Sequence, residues 1–378
     1  MLRITEEQQA LVEAVRAFAT ERIAPHALEW DEQQHFPVDV LAEAGELGLG
    51  GIYVDEAHGG AGLERKDAVL IFEELSKADP ALAAYISIHN MVVWMIDSFG
   101  SDEQRAKWVP ELVTMEHLGS YCLTEPGAGS DAASLATRAV RDGDDYVLNG
   151  VKQFISGAGA SEYYVVMCRT ADTGSKGIST LVVHRDTPGV SFGPNEKKMG
   201  WKTQPTRQVI FEDVRVPVSN RLGEEGDGFH IAMKGLNGGR INIGACSLGG
   251  GQSSLEKATA YLKERTAFGA PLTTKQSLVF DLAEMDMNLE AARTLLMRAA
   301  DALDRQDPDT VRLCAMAKKV ATDAGFEAAN TSLQLHGGYG YLHEYGVEKI
   351  ARDLRVHQIL EGSNEIMRLI VGRMLVDG

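Results

Sequence analysis

The sequence predicts an α+β protein that is mainly α: an N-terminal helical domain over 1–118, a middle antiparallel β-domain over 119–228 and a C-terminal four-helix bundle over 229–378. Three observations carry this reading. Apolar residues recur at spacings of three and four at both ends of the chain, which marks one buried face of a helix. Between them the pattern changes to short β-type runs with no interleaved helices, which favours antiparallel pairing. The C-terminal helical segments are long and joined by short loops, as in a bundle.

In the first region, Thr5 and Gln8 make a capping box, and Leu11, Val12, Val15, Phe18 and Ala19 mark one face of the helix behind it. "GIYVDEAHGGAGLER" (51–65) interrupts with glycine-rich turns. "ALAAYISIHNMVVWMIDSFG" (81–100) has roughly the length of a membrane span, but it carries His89, Asn90 and Asp97 and reads as a buried core helix. In the second region the runs "ATRAV", "DYVLNG", "YYVVMCR", "STLVVHR" and "RQVIFEDVRV" are strands, and "RDGDD" is a hairpin turn. In the third, "SSLEKATAYLKERTAF", "SLVFDLAEMDMNLEAARTLLMRAADAL" and "TVRLCAMAKKVATDAGFEAANTSLQLHGG" are the long helices.

The net charge of −17 argues against a nucleic-acid partner, since phosphate contacts need a basic face. An anionic ligand would require basic residues clustered locally. Cys122, Cys168, Cys246 and Cys314 are widely spaced and form no CxxC pair, so free thiols in a reducing compartment are expected. No HExxH or similar spacing points to a metal. The N-terminal segment is acidic and amphipathic, unlike a signal or transit peptide. The expected location is the cytoplasm for a bacterial chain, or the mitochondrial matrix for a mature eukaryotic one, with no membrane association.

No glycine-rich stretch completes GxGxxG in a βαβ setting, and there is no P-loop and no GxSxG elbow. What is present is "YCLTEPGAGSD" (121–131), where proline and glycines turn the chain at a strand end. Such a loop offers backbone N–H groups and hydroxyls to a ligand, or is a tight turn whose polar groups satisfy one another. "GVKQFISGAG" (150–159) places Phe154 and Ser156 at another strand end, suited to a flat aromatic ligand or to the core. "ERTAFGAPLTTKQ" puts Arg265 near a helix end, able to grip a phosphate or to lie free on the surface. In "HQILEGSNEIMR" (357–368), Glu361 sits at a break between two helices, which is either a solvated helix end or a functional carboxylate.

Together with "GWKTQPTRQVIFEDVRVP" and "LQLHGGYGY", and in the same order, these segments resemble the acyl-CoA dehydrogenase family over essentially the whole chain. "FISGAG", "KTQPTR" and "LNGGRINIGACSLG" look most like the branch that acts on isobutyryl-CoA in valine breakdown. The resemblance implies noncovalent FAD, an acyl-CoA substrate, an electron-transfer flavoprotein as electron acceptor, and a homotetramer built as a dimer of dimers. It implies Glu361 as the base that removes the α-proton. Flavin contacts are implied for Tyr121, Leu123, Thr124, Gly129 and Ser130, for Phe154, Ile155 and Ser156, and for Ser363, Asn364 and Glu365. Across a dimer interface, FAD would meet Arg265, Phe268, Lys275 and Gln276, and Gln334, Leu335, His336, Gly337 and Gly338. Ser130, Asn237, Gly238, Gly239, Arg240 and Arg373 are implied at acyl-CoA. Some family branches carry the base at the position of Gly239, and glycine cannot serve as one. Alternatives within the resemblance are a 2-methylbutyryl-CoA or butyryl-CoA dehydrogenase, an acyl-CoA oxidase, or a flavoprotein that only binds acyl-CoA.

Overall fold

The structure, a computed structural model, describes residues 4–376. Six helices come first: α1 (Glu6–Phe18), α2 (Ala27–Gln33), α3 (Val38–Glu46), α4 (Arg65–Ala78), α5 (Pro80–Phe99) and α6 (Asp102–Val113). The predicted box at Thr5 and Gln8 is formed in both directions. A second box, Ser101 with Gln104, starts α6, and Asp79 caps α5 with proline at its first turn.

α5 is long and apolar enough to span a membrane, yet 72% of its apolar window is buried inside the protein. Its polar residues explain why. Asn90 receives a bond from Ile52 N and donates to Leu49 O, tying down the glycine-rich loop. His89 bonds Leu112 O at 2.8 Å and accepts from Gly119 N at 3.1 Å, and burial lowers its pKa to about 4. A neutral imidazole therefore links α6 to the first strand.

The strands are β1 (Gly119–Cys122), β2 (Arg138–Asp142), β3 (Asp145–Ser156), β4 (Tyr163–Arg169), β5 (Ile178–His184), β6 (Val190–Phe192), β7 (Thr206–Pro217) and β8 (Arg221–Leu222). They form one sheet in the order β6-β7-β3-β2-β4-β5-β8, with β1 added beside β4. Most pairings are antiparallel, as expected, but β1 and β2 each run parallel to β4. The β2–β3 hairpin closes through Gly143 and Asp144, the "RDGDD" turn, with Gly143 at φ +64°. β6 and β8 are edge strands of three and two residues, too short to show alternation in the sequence.

Helix α7 (Gly228–Glu264) follows, then a small hairpin of β9 (Thr266–Ala267) and β10 (Ala270–Pro271), then α8 (Gln276–Asp304), α9 (Thr310–Leu335), α10 (Val347–His357) and α11 (Asn364–Val376). α7 starts well before the helical run read from the sequence, because its first half is interrupted by glycines. One buried cluster joins α1, α3, α4 and α5 to α7, α8 and α9; two others fill the sheet, one of them against α5 and α6. All four cysteines are buried free thiols. Among the described residues no group of three His, Cys, Asp or Glu side chains is placed to hold a metal.

Candidate active site

The break read at Glu361 is a tight turn between α10 and α11. Glu361 has φ +56° and Gly362 φ +87°, both left-handed. A non-glycine residue held there costs on the order of 1–3 kcal/mol, and such strain persists where the surroundings enforce it. Two cations do so here. Arg240 Nε of α7 donates to Glu361 O at 3.3 Å, and Lys318 Nζ of α9 donates to Gly362 O at 2.9 Å. Ser363 Oγ accepts from Ile366 N at 3.4 Å and caps α11.

The turn aims the Glu361 carboxylate at α7. A Cβ on Gly239 would lie 2.5 Å from its Oε2, and one on Gly238 would lie 2.5 Å from the guanidinium of Arg65. The two successive glycines thus admit a carboxylate and a cation against bare helix backbone. Glu361 Oε2 is buried and has no hydrogen-bond partner among the described residues. Burial raises the Glu361 pKa to about 7; Arg240 and then Lys318 pull it back down. Tyr121 shares this environment: its hydroxyl is buried with no partner among the described residues, and burial, then the Glu361 charge, raises its pKa. Asn237 is held at the site by Arg240, whose guanidinium donates to its Oδ1 at 2.9 Å.

The two loops expected at a flavin meet beside β1. Gln153 N donates to Thr124 O at 2.8 Å, and Ser120 Oγ donates to Ser156 O at 2.6 Å. Beneath them, Glu125 accepts from Ala136 N and Thr137 N and pairs with Lys152 Nζ at 2.7 Å, both side chains buried. Leu123 and Ile155 are buried, and Leu123 O accepts from Lys152 at 3.1 Å. So the carboxylate of "TEPGAG" is internal scaffolding. The hydroxyls of Thr124 and Ser130, by contrast, have no protein partner among the described residues. A register shift in the β3–β7 pairing between Lys152 and Ile155 turns Phe154 outward at φ +59°, 62% exposed. Nothing lies within 4 Å of where a Cβ on Gly127 or Gly129 would be. An exposed aromatic, open glycine edges and two unpaired hydroxyls fit a flat heteroaromatic ring with polar edges, such as the flavin of FAD.

A second group of expected residues lies elsewhere. Arg265 ends α7, its guanidinium 5.5 Å from the centre of the Tyr339 ring. Phe268 in the β9–β10 turn is 93% exposed, with Lys275 Nζ 5.4 Å from its ring centre, and Gln276 opens α8. Gln334 and Leu335 close α9, His336 stacks on Tyr261 at 4.4 Å, and Gly337 and Gly338 face open space. From Gly239 to Arg265 the chain runs along α7 for about 39 Å at 1.5 Å per residue. One chain therefore does not bring this group to Glu361. Asn364 is buried just after the Glu361–Gly362 turn, whereas Glu365 and Arg373 are exposed on α11.

Four side chains at the site were not singled out from the sequence: Arg65, Tyr53, Asn242 and Lys318. Arg65 is buried over the Tyr53 ring, 3.4 Å from its centre, and Tyr53 OH accepts from Asn242 Nδ2 at 3.1 Å. Lys318 is fully buried. Its signal was available: with Cys314, Ala317 and Ala321 it falls on the apolar face of α9. Arg65, Arg240 and Lys318 form a local buried basic cluster in a chain of net charge −17, and Arg240 and Lys318 face the Glu361 carboxylate.

Family models match along the chain: the acyl-CoA dehydrogenase N-terminal domain over 5–116, the middle domain over 120–214 and the C-terminal domain over 226–376. The chain is 55% identical to mitochondrial isobutyryl-CoA dehydrogenase of Bos taurus, over 99% of this chain and 90% of the relative. It is 56% identical to that of Dictyostelium discoideum, over 98% and 90%. Among solved structures, butyryl-CoA dehydrogenase of Megasphaera elsdenii superposes with a TM-score of 0.96 at 38% identity, covering 100% of both chains. The chain belongs to the acyl-CoA dehydrogenase family of FAD-dependent oxidoreductases.

Proposed function

We propose that this protein converts isobutyryl-CoA to methacrylyl-CoA in valine breakdown, with Glu361 as the base. The observation that carries the reading is the unpartnered carboxylate of Glu361 over Gly239. A methyl branch on the α-carbon needs width beside the base, and the missing side chains at Gly238 and Gly239 leave the α7 wall there at backbone level. Two relatives 55–56% identical that are named isobutyryl-CoA dehydrogenases support the same substrate.

The residues divide the work as follows. Glu361, with its pKa near 7, takes the α-proton as its carboxylate. Its backbone N–H donates to no group among the described residues and is free to bond the thioester oxygen, where negative charge develops. Tyr121 to Ser130, Phe154 to Ser156 and Ser363 to Glu365 would hold FAD, which when bound would supply the acceptor for the hydride of the β-carbon. Asn237, Gly238, Gly239, Arg240, Ser130 and Arg373 contact acyl-CoA. Arg265, Phe268, Lys275, Gln276 and the 334–338 turn serve the FAD of a neighbouring copy, since Arg265 stands about 39 Å along α7 from Gly239 and the 334–338 turn packs at the same end of that helix. This requires at least a dimer, and a dimer of dimers is the proposed assembly. An electron-transfer flavoprotein is the proposed acceptor. The cytoplasm of a bacterium or a mitochondrial matrix is the proposed location.

Steady-state kinetics on isobutyryl-, 2-methylbutyryl-, isovaleryl-, butyryl- and octanoyl-CoA test the substrate. We expect the highest kcat/KM for isobutyryl-CoA and a lower but real value for 2-methylbutyryl-CoA, since a hydrophobic pocket separates substrates by only about 1–3 kcal/mol per methylene. A higher value for isovaleryl- or octanoyl-CoA overturns it. Glu361→Gln should remain yellow and bind acyl-CoA while losing about 10²- to 10⁴-fold in turnover.

A further inference from the structure

Lys318 is a fully buried ammonium group that forms no ion pair among the described residues. Lysine is rarely buried without a carboxylate partner. Its two acceptors both belong to the turn of the base: Gly362 O at 2.9 Å and Asn364 Oδ1 at 2.9 Å. Asn364 in turn donates to Thr322 Oγ1 at 3.0 Å and Asp323 Oδ1 at 2.8 Å, and its N–H bonds Gln358 O at 3.0 Å. The turn is thus fastened to α9 by a network that reaches it at Gly362 and Asn364, one and three residues beyond Glu361. Arg240 holds the preceding carbonyl from the opposite side, on α7.

We propose that Lys318 is a positioning residue for the catalytic base: it holds the left-handed Glu361–Gly362 turn so that the carboxylate faces the substrate, and it keeps a positive charge beside that carboxylate. The inference rests on the reading of Glu361 as the base. A neutral donor would satisfy Gly362 O and Asn364 equally well. A charged one favours the ionised base, which a buried carboxylate over bare helix otherwise resists. The groups around the pair are Arg240 on α7, Tyr121 on β1, Tyr53 before α4, Asp323 on α9, His357 on α10 and Glu365 on α11. Burial lowers the Lys318 pKa to about 8, so it is charged at neutral pH.

The test compares Lys318→Gln and Lys318→Arg with wild type in kcat, KM and the pH dependence of kcat/KM, with FAD content and circular dichroism reporting folding. For Lys318→Gln we expect the acid limb to move up by about one pH unit, because removing a nearby cation raises a carboxylate pKa, and kcat to fall. For Lys318→Arg the charge remains but its position changes. Its limb should stay at the wild-type pH while kcat falls about tenfold or more with KM within about twofold, the mark of misplacement. A folded Lys318→Gln enzyme with wild-type kcat and an unmoved limb overturns the proposal. Should the glutamine variant not fold, wild-type kcat in Lys318→Arg overturns it. Glu361→Gln separates the two readings: if it keeps full turnover the base assignment fails, whereas an inactive Glu361→Gln beside an unaltered Lys318→Gln sinks only the role of Lys318.

Discussion

Gly239→Ala is the smallest change that tests the geometry of the base. Its methyl carbon would sit 2.5 Å from Glu361 Oε2 and 2.9 Å from Cδ. Ordinary contact begins near 3.4 Å, so the carboxylate must retreat by about 1 Å. For folding this is cheap, because the obstacle is the end of a flexible side chain. Alanine also gains about 1 kcal/mol over glycine within a helix. For catalysis it is expensive: a displacement of about 1 Å at a reacting group costs on the order of 10²-fold. The expected variant is therefore at least as stable as wild type in urea or thermal unfolding, holds FAD, and has lost about 10²-fold in kcat. Isobutyryl-CoA should suffer more than butyryl-CoA, since the methyl fills the width proposed for the α-branch. Wild-type kcat on isobutyryl-CoA, in a variant with full flavin content, would show that the α7 wall does not face the reacting carbon.

Three further outcomes are expected. First, kcat/KM should rise with pH through about 7, because only the ionised Glu361 accepts the proton and its pKa lies there; at pH 6 about one-tenth of the plateau should remain, and a limb near 4.5 would mean that burial does not act on the working base. Second, Arg265→Ala should lose FAD on gel filtration and dissociate at higher protein concentration than wild type, since ligand loss lowers apparent stability by mass action; unchanged flavin content and assembly would remove Arg265 from any shared site. Third, Lys152→Met should destabilise the fold by about 3–5 kcal/mol, because it leaves the buried Glu125 charge uncompensated beneath the 121–130 loop; an unfolding midpoint like that of wild type would contradict this.

Local pattern was enough for the elements with enough residues to repeat. The α1 cap, the "RDGDD" hairpin, helices α8 and α9 and the second half of α7 were readable. β6, β8 and the β9–β10 hairpin were not, because two or three residues carry no period. The parallel placement of β1 beside β4 was equally invisible, since it depends on α5 and α6 delivering the chain to that edge. At the site, local pattern offered Glu361 only as a carboxylate at a helix break, and the family resemblance supplied its proposed role. What no local pattern holds is the company it keeps: Arg240 from α7, Lys318 from α9 and Tyr121 from β1 reach it only through the packing of distant segments.

The glycines of α7 show how the two levels join. From the sequence, Gly238 and Gly239 are a liability of roughly 1 kcal/mol each in a helix. In the structure each admits one charged side chain, Arg65 at the first and Glu361 at the second, on adjacent faces of the same turn. Any side chain at 239 would contend with the Glu361 carboxylate for its place. Any at 238 would lift Arg65 off Tyr53, where the guanidinium is stacked and buried. The helix is weakened at the point where the base needs room, and it is held there by burial on both sides, with Ile241 and Ile243 completely or almost completely enclosed. A local violation of helix propensity, offset by tertiary packing and placed against a carboxylate oxygen with no partner among the described residues, is what the proposed role of Glu361 in proton abstraction requires.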